Sequence, residues 1–207
     1  MTKQLSAVDA AFSITGLLEE RASVQRDSAT GQVNEGAWKA NFHSAYDALA
    51  PTANAWDRIM DGMQSAIALQ MAIVRQGASL LEGKAIVHTG PFRYCFLLRH
   101  AADVALFTNP LALSKLALFL QDVFEHQKKK PMSMVIGACN ELTDTFLLVG
   151  VPAQPGHDNT FGINFEKAAF DTNARIRLHT FDASIVELHQ ADLEPFIEHL
   201  HSGILGY

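Results

Sequence analysis

The sequence predicts an α+β protein, in which an N-terminal helical region precedes a mostly antiparallel sheet domain with two helices on one face. Three observations carry this reading. Apolar residues recur at helical spacing through the first part of the chain, and from Lys84 onward they fall into short runs divided by turn residues. Those runs are rich in β-branched and aromatic residues. Only two later stretches return to helical spacing, "NPLALSKLALFLQDVFEH" from Asn109 and "HQADLEPFIEHLHSGILG" from His189. The change of period divides the chain into a helical region, 1–83, and an α+β domain, 84–207, with one continuous domain as the alternative.

The first helix starts at Ser6, whose hydroxyl can cap the first turn with Asp9 three residues on. It gives way to the polar stretch "RDSATGQVNEG". Trp38, Phe42, Tyr46 and Leu49 then share one stripe of a second helix, which Pro51 ends. A third helix carries Trp56, Met60, Met63, Ile67 and Met71, a stripe apolar enough to predict either core or a homodimer interface. The runs "AIVHTG", "FRYCFLLRH", "DVALFTN", "MSMVIGACN", "TDTFLLVGVP", "FGINFEK", "ARIRLHTF" and "SIVELH" read as strands. Between them, Asn109 caps a helix with Pro110 at its first position, and Lys128, Lys129 and Lys130 suit its negative end before Pro131 stops it.

An offset of eighty residues places Leu113, Leu116, Leu120 and Phe124 on Leu193, Phe196, Leu200 and Ile204, and Leu106 on Val186. An internal duplication of sheet and helix is one explanation, and the common demands of amphipathic helices are the other. If the duplication holds, alternation along the strands turns Arg93, Arg99, Arg175 and Arg177 outward, where they could form a basic groove. That groove would suit single-stranded nucleic acid. The alternative is a solvated face whose arginines pair with carboxylates. The net charge of −6 disfavours a nucleic-acid partner.

No phosphate loop, nucleophile elbow or dinucleotide fingerprint is present. His199 and His201 lie two apart on a helix and diverge, so no metal is expected, and no cofactor either. Cys139 at a strand end, with His157 and Asp158 in the loop "GVPAQPGHDNTFG", makes a formal nucleophilic trio, against which a small buried Cys139 is the simpler reading. That proline- and glycine-rich loop is the preferred contact site for a protein partner. Two cysteines make no disulfide scaffold, and no apolar run reaches the roughly 20 residues that cross a bilayer. The N-terminus does not read as a secretory signal. The expected function is therefore that of a non-enzymatic cytoplasmic protein acting on another protein as adaptor, regulator or inhibitor. A single-stranded nucleic-acid binder and an enzyme without a local signature are the alternatives.

Overall fold

The structure, a computed structural model, describes residues 5–20, 37–50, 52, 54–154, 156, 158–179 and 182–204. The stretch "RDSATGQVNEG" lies outside the described residues. The chain forms two compact units, Met1–Val74 and Arg75–Tyr207. The division falls inside one long helix, and each unit is described by itself.

The first unit holds α1 (Ala7–Glu19), α2 (Ala37–Ala48) and most of α3 (Ala55–Glu82). α1 begins as its sequence predicts. The Asp9 N–H donates to Ser6 Oγ at 3.1 Å, and the Ser6 N–H donates back to Asp9 Oδ2 at 3.1 Å. α1 meets α3 through small residues. A Cβ on Gly16 would lie 2.8 Å from the backbone nitrogen of Ala66, and one on Gly62 would lie 2.6 Å from Ser13 Oγ. Ser13 Oγ donates to the Ile59 carbonyl, and Asn41 Nδ2 on α2 donates to the Glu20 carbonyl at 2.7 Å. Leu17, Ala45 and Ala48 form the local core, with Ile14, Leu18 and Ile59 against it.

The large apolar stripes of α2 and α3 are not buried within the chain, so of the two expectations for α3, core or homodimer interface, the first is not met. Phe42, Tyr46 and Leu49 are exposed, as are Met60, Ile67 and Met71, while Trp56 and Met63 are only partly covered. The buried stripe of α3 is Gly62, Ala66, Leu69, Ile73, Gln76 and Leu80. The predicted stripe is thus not core. Small residues permit a closer approach of backbones than large ones, and the tight crossing falls on the side that carries them. The side chain of Trp38 lies outside the described residues.

The second unit is built on a sheet of six strands, β1 (Val87–His88), β2 (Phe92–Leu97), β3 (Ser133–Asn140), β4 (Thr145–Val151), β5 (Ile176–Leu178) and β6 (Ile185–His189). Their order is β1-β2-β3-β4-β6-β5. Every neighbouring pair is antiparallel except β2 and β3, which run parallel with Tyr94 opposite Val135. Parallel neighbours need a crossover, and α4 (Pro110–His126) supplies it. Its cap is the predicted one, Asn109 Oδ1 accepting from the Leu111 N–H at 2.9 Å with Pro110 next. The α+β class is as predicted.

Two segments differ from their predicted state. "DVALFTN" forms a 3₁₀ turn, Val104–Thr108, and "FGINFEK" opens a helix, α5 (Phe161–Thr172). Within seven residues Phe161, Ile163 and Phe165 alternate like a strand, but over the full segment Phe161, Phe165, Ala168 and Ala169 are buried at helical steps. The C-terminal helix is α6 (Leu193–Ile204).

Alternation along the strands assigns the helices to faces. Phe92, Val135, Phe146, Leu148, Val186 and Leu188 pack in one core with Phe161 and Phe165 of α5 and Phe196, Ile197 and Leu200 of α6. Arg93 points to the opposite face, where its guanidinium lies 4.4 Å from the centre of the Phe124 ring of α4. The pair of helices sharing a face is therefore α5 and α6, and α4 covers the other side. The offset of eighty pairs unlike settings, since Leu106 sits in the 3₁₀ turn and Val186 in β6. The shared spacing of α4 and α6 reflects what any helix packed on a sheet requires.

Candidate functional site

α5 positions the first candidate surface. Gly150 makes room for it, because a Cβ there would sit 2.6 Å from Cβ of Phe161. Asn159 ties the approach to the sheet, donating from Nδ2 to the Gly150 carbonyl at 2.9 Å and accepting the Phe161 N–H at 3.1 Å. At this end of α5 a cleft of about 60 Å³ is lined by residues including Pro91, Pro152, Asp158 and Asn164. Such a volume holds water or part of one side chain, well short of the roughly 300 Å³ at which small-molecule sites begin. On the outer side of the same helix Ile163 and Phe170 are 73% and 86% exposed. They stand seven residues apart, hence on one stripe two turns long. An apolar stripe beside a small cleft suits an anchoring contact from another protein.

The loop chosen from sequence borders this cleft through Pro152 and Asp158. Asp158 is exposed, and His157 lies outside the described residues. Cys139 is buried on the strand face that α5 and α6 cover, and burial raises its thiol above the ordinary range. A thiol held protonated is a poor nucleophile. Cys95 is buried too, and its thiol is pushed up to about 12. His199 Nε2 lies 2.9 Å from Asp171 Oδ2 without hydrogen-bond alignment, while His201 Nε2 donates to the Thr89 carbonyl at 2.6 Å. The two imidazoles do not converge.

The four arginines predicted to form one groove have different fates. Arg175 Nε donates to Asp192 Oδ2 at 2.9 Å, which raises the guanidinium pKa and holds the Asp192 carboxyl below its usual range. Arg177 pairs with Glu187 at 2.9 Å, and Arg99 lies 3.8 Å from Asp144 and donates to Gln190 Oε1 at 2.8 Å. These three belong to the solvated, carboxylate-paired face. Arg93 is instead 3% exposed, because α4 closes over it. Its Nη2 donates to the Lys130 carbonyl at 2.7 Å and its Nε to His88 Nδ1 at 3.3 Å. Burial lowers the Arg93 pKa, and a buried guanidinium cannot line an open groove.

The model of the CDC45 family matches residues 1–203. The chain belongs to the CDC45 family. It is 37% identical over 201 residues to the cell division control protein 45 homolog of Dictyostelium discoideum, covering 96% of this chain and 30% of that protein. To the Homo sapiens homolog it is 30% identical over 204 residues, covering 95% of this chain and 34% of the relative. The chain thus spans about a third of the length of the curated CDC45 relatives it matches. The crystal structure of CDC45 from Entamoeba histolytica superposes with a TM-score of 0.68 at 21% identity, over 98% of this chain and 38% of that one. That likeness concerns the fold, and extends to CDC45 the open six-stranded α+β arrangement described above. The α5 surface is hidden in the sequence because Phe161, Ile163 and Phe165 alternate like a strand. The signal that exposes it is the helical step from Phe161 and Phe165 to Ala168 and Ala169.

Proposed function

We infer that this CDC45-family chain serves in the initiation of DNA replication by binding other proteins, and that the outer stripe of α5 is one of its contact surfaces. The observation that supports this reading is the exposure of Ile163 and Phe170 on a helix whose inner side is packed in the core. Leaving both side chains in water forgoes burial worth about 1.5–3 kcal/mol each, which a partner recovers. The nucleic-acid alternative has less support, since Arg99, Arg175 and Arg177 are engaged by side chains of this chain. A role in replication supports a nuclear setting over the cytoplasmic one expected from the sequence.

The test is Ile163→Asp/Phe170→Asp in the native host. Both positions are exposed, so the variant folds and melts like the parent. The expected outcome is loss of co-purifying replication proteins and delayed chromosome duplication. A variant that folds, keeps every partner and replicates normally overturns the reading.

A further inference from the structure

The described residues contain a second concentration of chemistry, on the opposite side of the sheet from α5. Arg93 and Lys129 both lie over the Phe124 ring, at 4.4 and 4.8 Å from its centre. His88 is beside them, its ring centre 6.2 Å from that of Phe124. Lys130 is joined through its carbonyl to Arg93, and Lys128 precedes in a left-handed turn with φ 55°. Among the described residues no carboxylate is in ion-pair range of Arg93, Lys128, Lys129 or Lys130. In a chain of net charge −6, three consecutive lysines stand here beside Arg93, which the fold brings to them from β2.

The end of α4 does not account for them. Its last carbonyls already accept backbone N–H groups, Val123 from Gln127 at 3.0 Å, Phe124 from Lys129 at 3.0 Å and Glu125 from Lys128 at 2.8 Å. The residual helix charge is only about half an electron, far less than the charge gathered here. His88 registers the excess. Its pKa is lowered, chiefly by burial and then by the positive charges of Arg93 and Lys129.

We propose that His88, Lys128, Lys129 and Lys130, with the buried Arg93 holding the Lys130 backbone in place beneath them, dock an acidic, Asp/Glu-rich segment of a protein partner. The proposal rests on the protein-binding function inferred above and assigns it a second surface with a defined chemistry. Charge complementarity identifies the occupant. Nucleobases would gain little here, because the ring at the cluster, Phe124, is buried beneath the cations rather than open for stacking. β1 is the terminal strand of the sheet on this side, with Val87 and His88 exposed, and among the described residues no further strand pairs with it, so an extended segment can lie along it beside the lysines.

The experiment measures anisotropy of a labelled Asp/Glu-rich peptide, a matched Gln/Asn peptide and a single-stranded oligonucleotide with the full chain. The acidic peptide should bind with strong salt dependence and the neutral one should not. Lys128→Gln/Lys129→Gln/Lys130→Gln changes exposed side chains only and should weaken the peptide about tenfold, the sum of several exposed ion pairs. Arg175→Gln/Arg177→Gln should leave it unchanged. Equal binding of the neutral peptide, no loss in the lysine variant, or an oligonucleotide that binds more tightly than the peptide and is lost with the same lysines overturns the proposal. The Ile163→Asp/Phe170→Asp variant separates the two surfaces. It should bind the peptide normally, so failure of the α5 reading leaves this assay intact, and failure here leaves partners held through α5 in place.

Discussion

The helical unit and the sheet unit use apolar residues in opposite ways. In the sheet unit the largest aromatic side chains around the strands point inward, with Phe92, Phe165 and Phe196 fully buried, and Ile163 and Phe170 on the outer side of α5 are the marked exceptions. In the helical unit the contacts run through Ser13, Gly16, Ala45, Ala48, Gly62 and Ala66, while Phe42, Tyr46, Met60, Ile67 and Met71 face outward. A helical period of large apolar residues identifies a face that must be covered. It does not say that the same chain covers it.

Phe165→Ala gives the largest expected effect, because the site has least freedom to collapse. Its ring touches those of Phe161 and Phe196 at centre distances of 5.5 and 5.8 Å. Truncation of such a residue costs about 3–5 kcal/mol. Chemical denaturation should show that loss, with amide exchange quickened throughout residues 133–200. A change below about 1 kcal/mol would mean that the aromatic core is not what holds the sheet unit.

Gly62→Leu should come next, and in the other unit. A side chain there meets the Ser13 backbone and Cγ of Leu17, the latter 2.8 Å from the new Cβ, so α1 must move off α3. Overpacking of this kind costs about 1–3 kcal/mol. Exchange should quicken across α1 and α2, and a stabilised or unchanged protein would refute the close crossing.

Met71→Ser/Tyr46→Ser tests the outward stripes directly. Both residues are exposed, at 60% and 66%, so the melting free energy should move by less than about 0.5 kcal/mol. A loss of several kcal/mol would show that these side chains are core, the first of the two expectations for α3. Unchanged stability with weaker self-association or partner capture would establish them as an interface, and a homodimer is one outcome that sedimentation would detect.

These contrasts explain which features were legible in the sequence. Capping is local chemistry, so Ser6 with Asp9 and Asn109 with Pro110 marked the starts of α1 and α4 correctly. Alternation with turn residues on both sides placed β2, β3, β4 and β6. The face that α4 occupies is not local, since it follows from β2 and β3 being parallel neighbours joined by a crossover. Arg93 and Arg175 look alike in sequence for the same reason. One is sunk under α4 and the other answers Asp192 from the far side of the β5–β6 pair, and only packing beyond the local sequence separates them.

The smallest expected effect is a pH dependence confined to the sheet unit, at β1 and β2. His88 faces Arg93 on β2, Lys129 beyond α4 and the Phe124 ring of α4, and burial with these two cations lowers its pKa below the ordinary 6.5. In the unfolded chain the imidazole titrates near that ordinary value. Below it the unfolded state takes up the proton more readily than the folded one, so stability is complete above about pH 6.5 and is lost as the pH falls through the folded value. His88 is exposed apart from the side of its ring that meets Phe124, so the loss is small beside those of Phe165→Ala and Gly62→Leu. An NMR titration should therefore place the His88 midpoint below 6.5, with acid quickening exchange at the β1–β2 pair before the rest of the sheet. Lys129→Gln removes one of the two charges and should raise the midpoint toward the ordinary value, as should a bound acidic peptide. A midpoint at or above 6.5 in the parent protein would mean that the cations do not gather around Phe124, and with that the contrast between Arg93 and the carboxylate-paired arginines would fail.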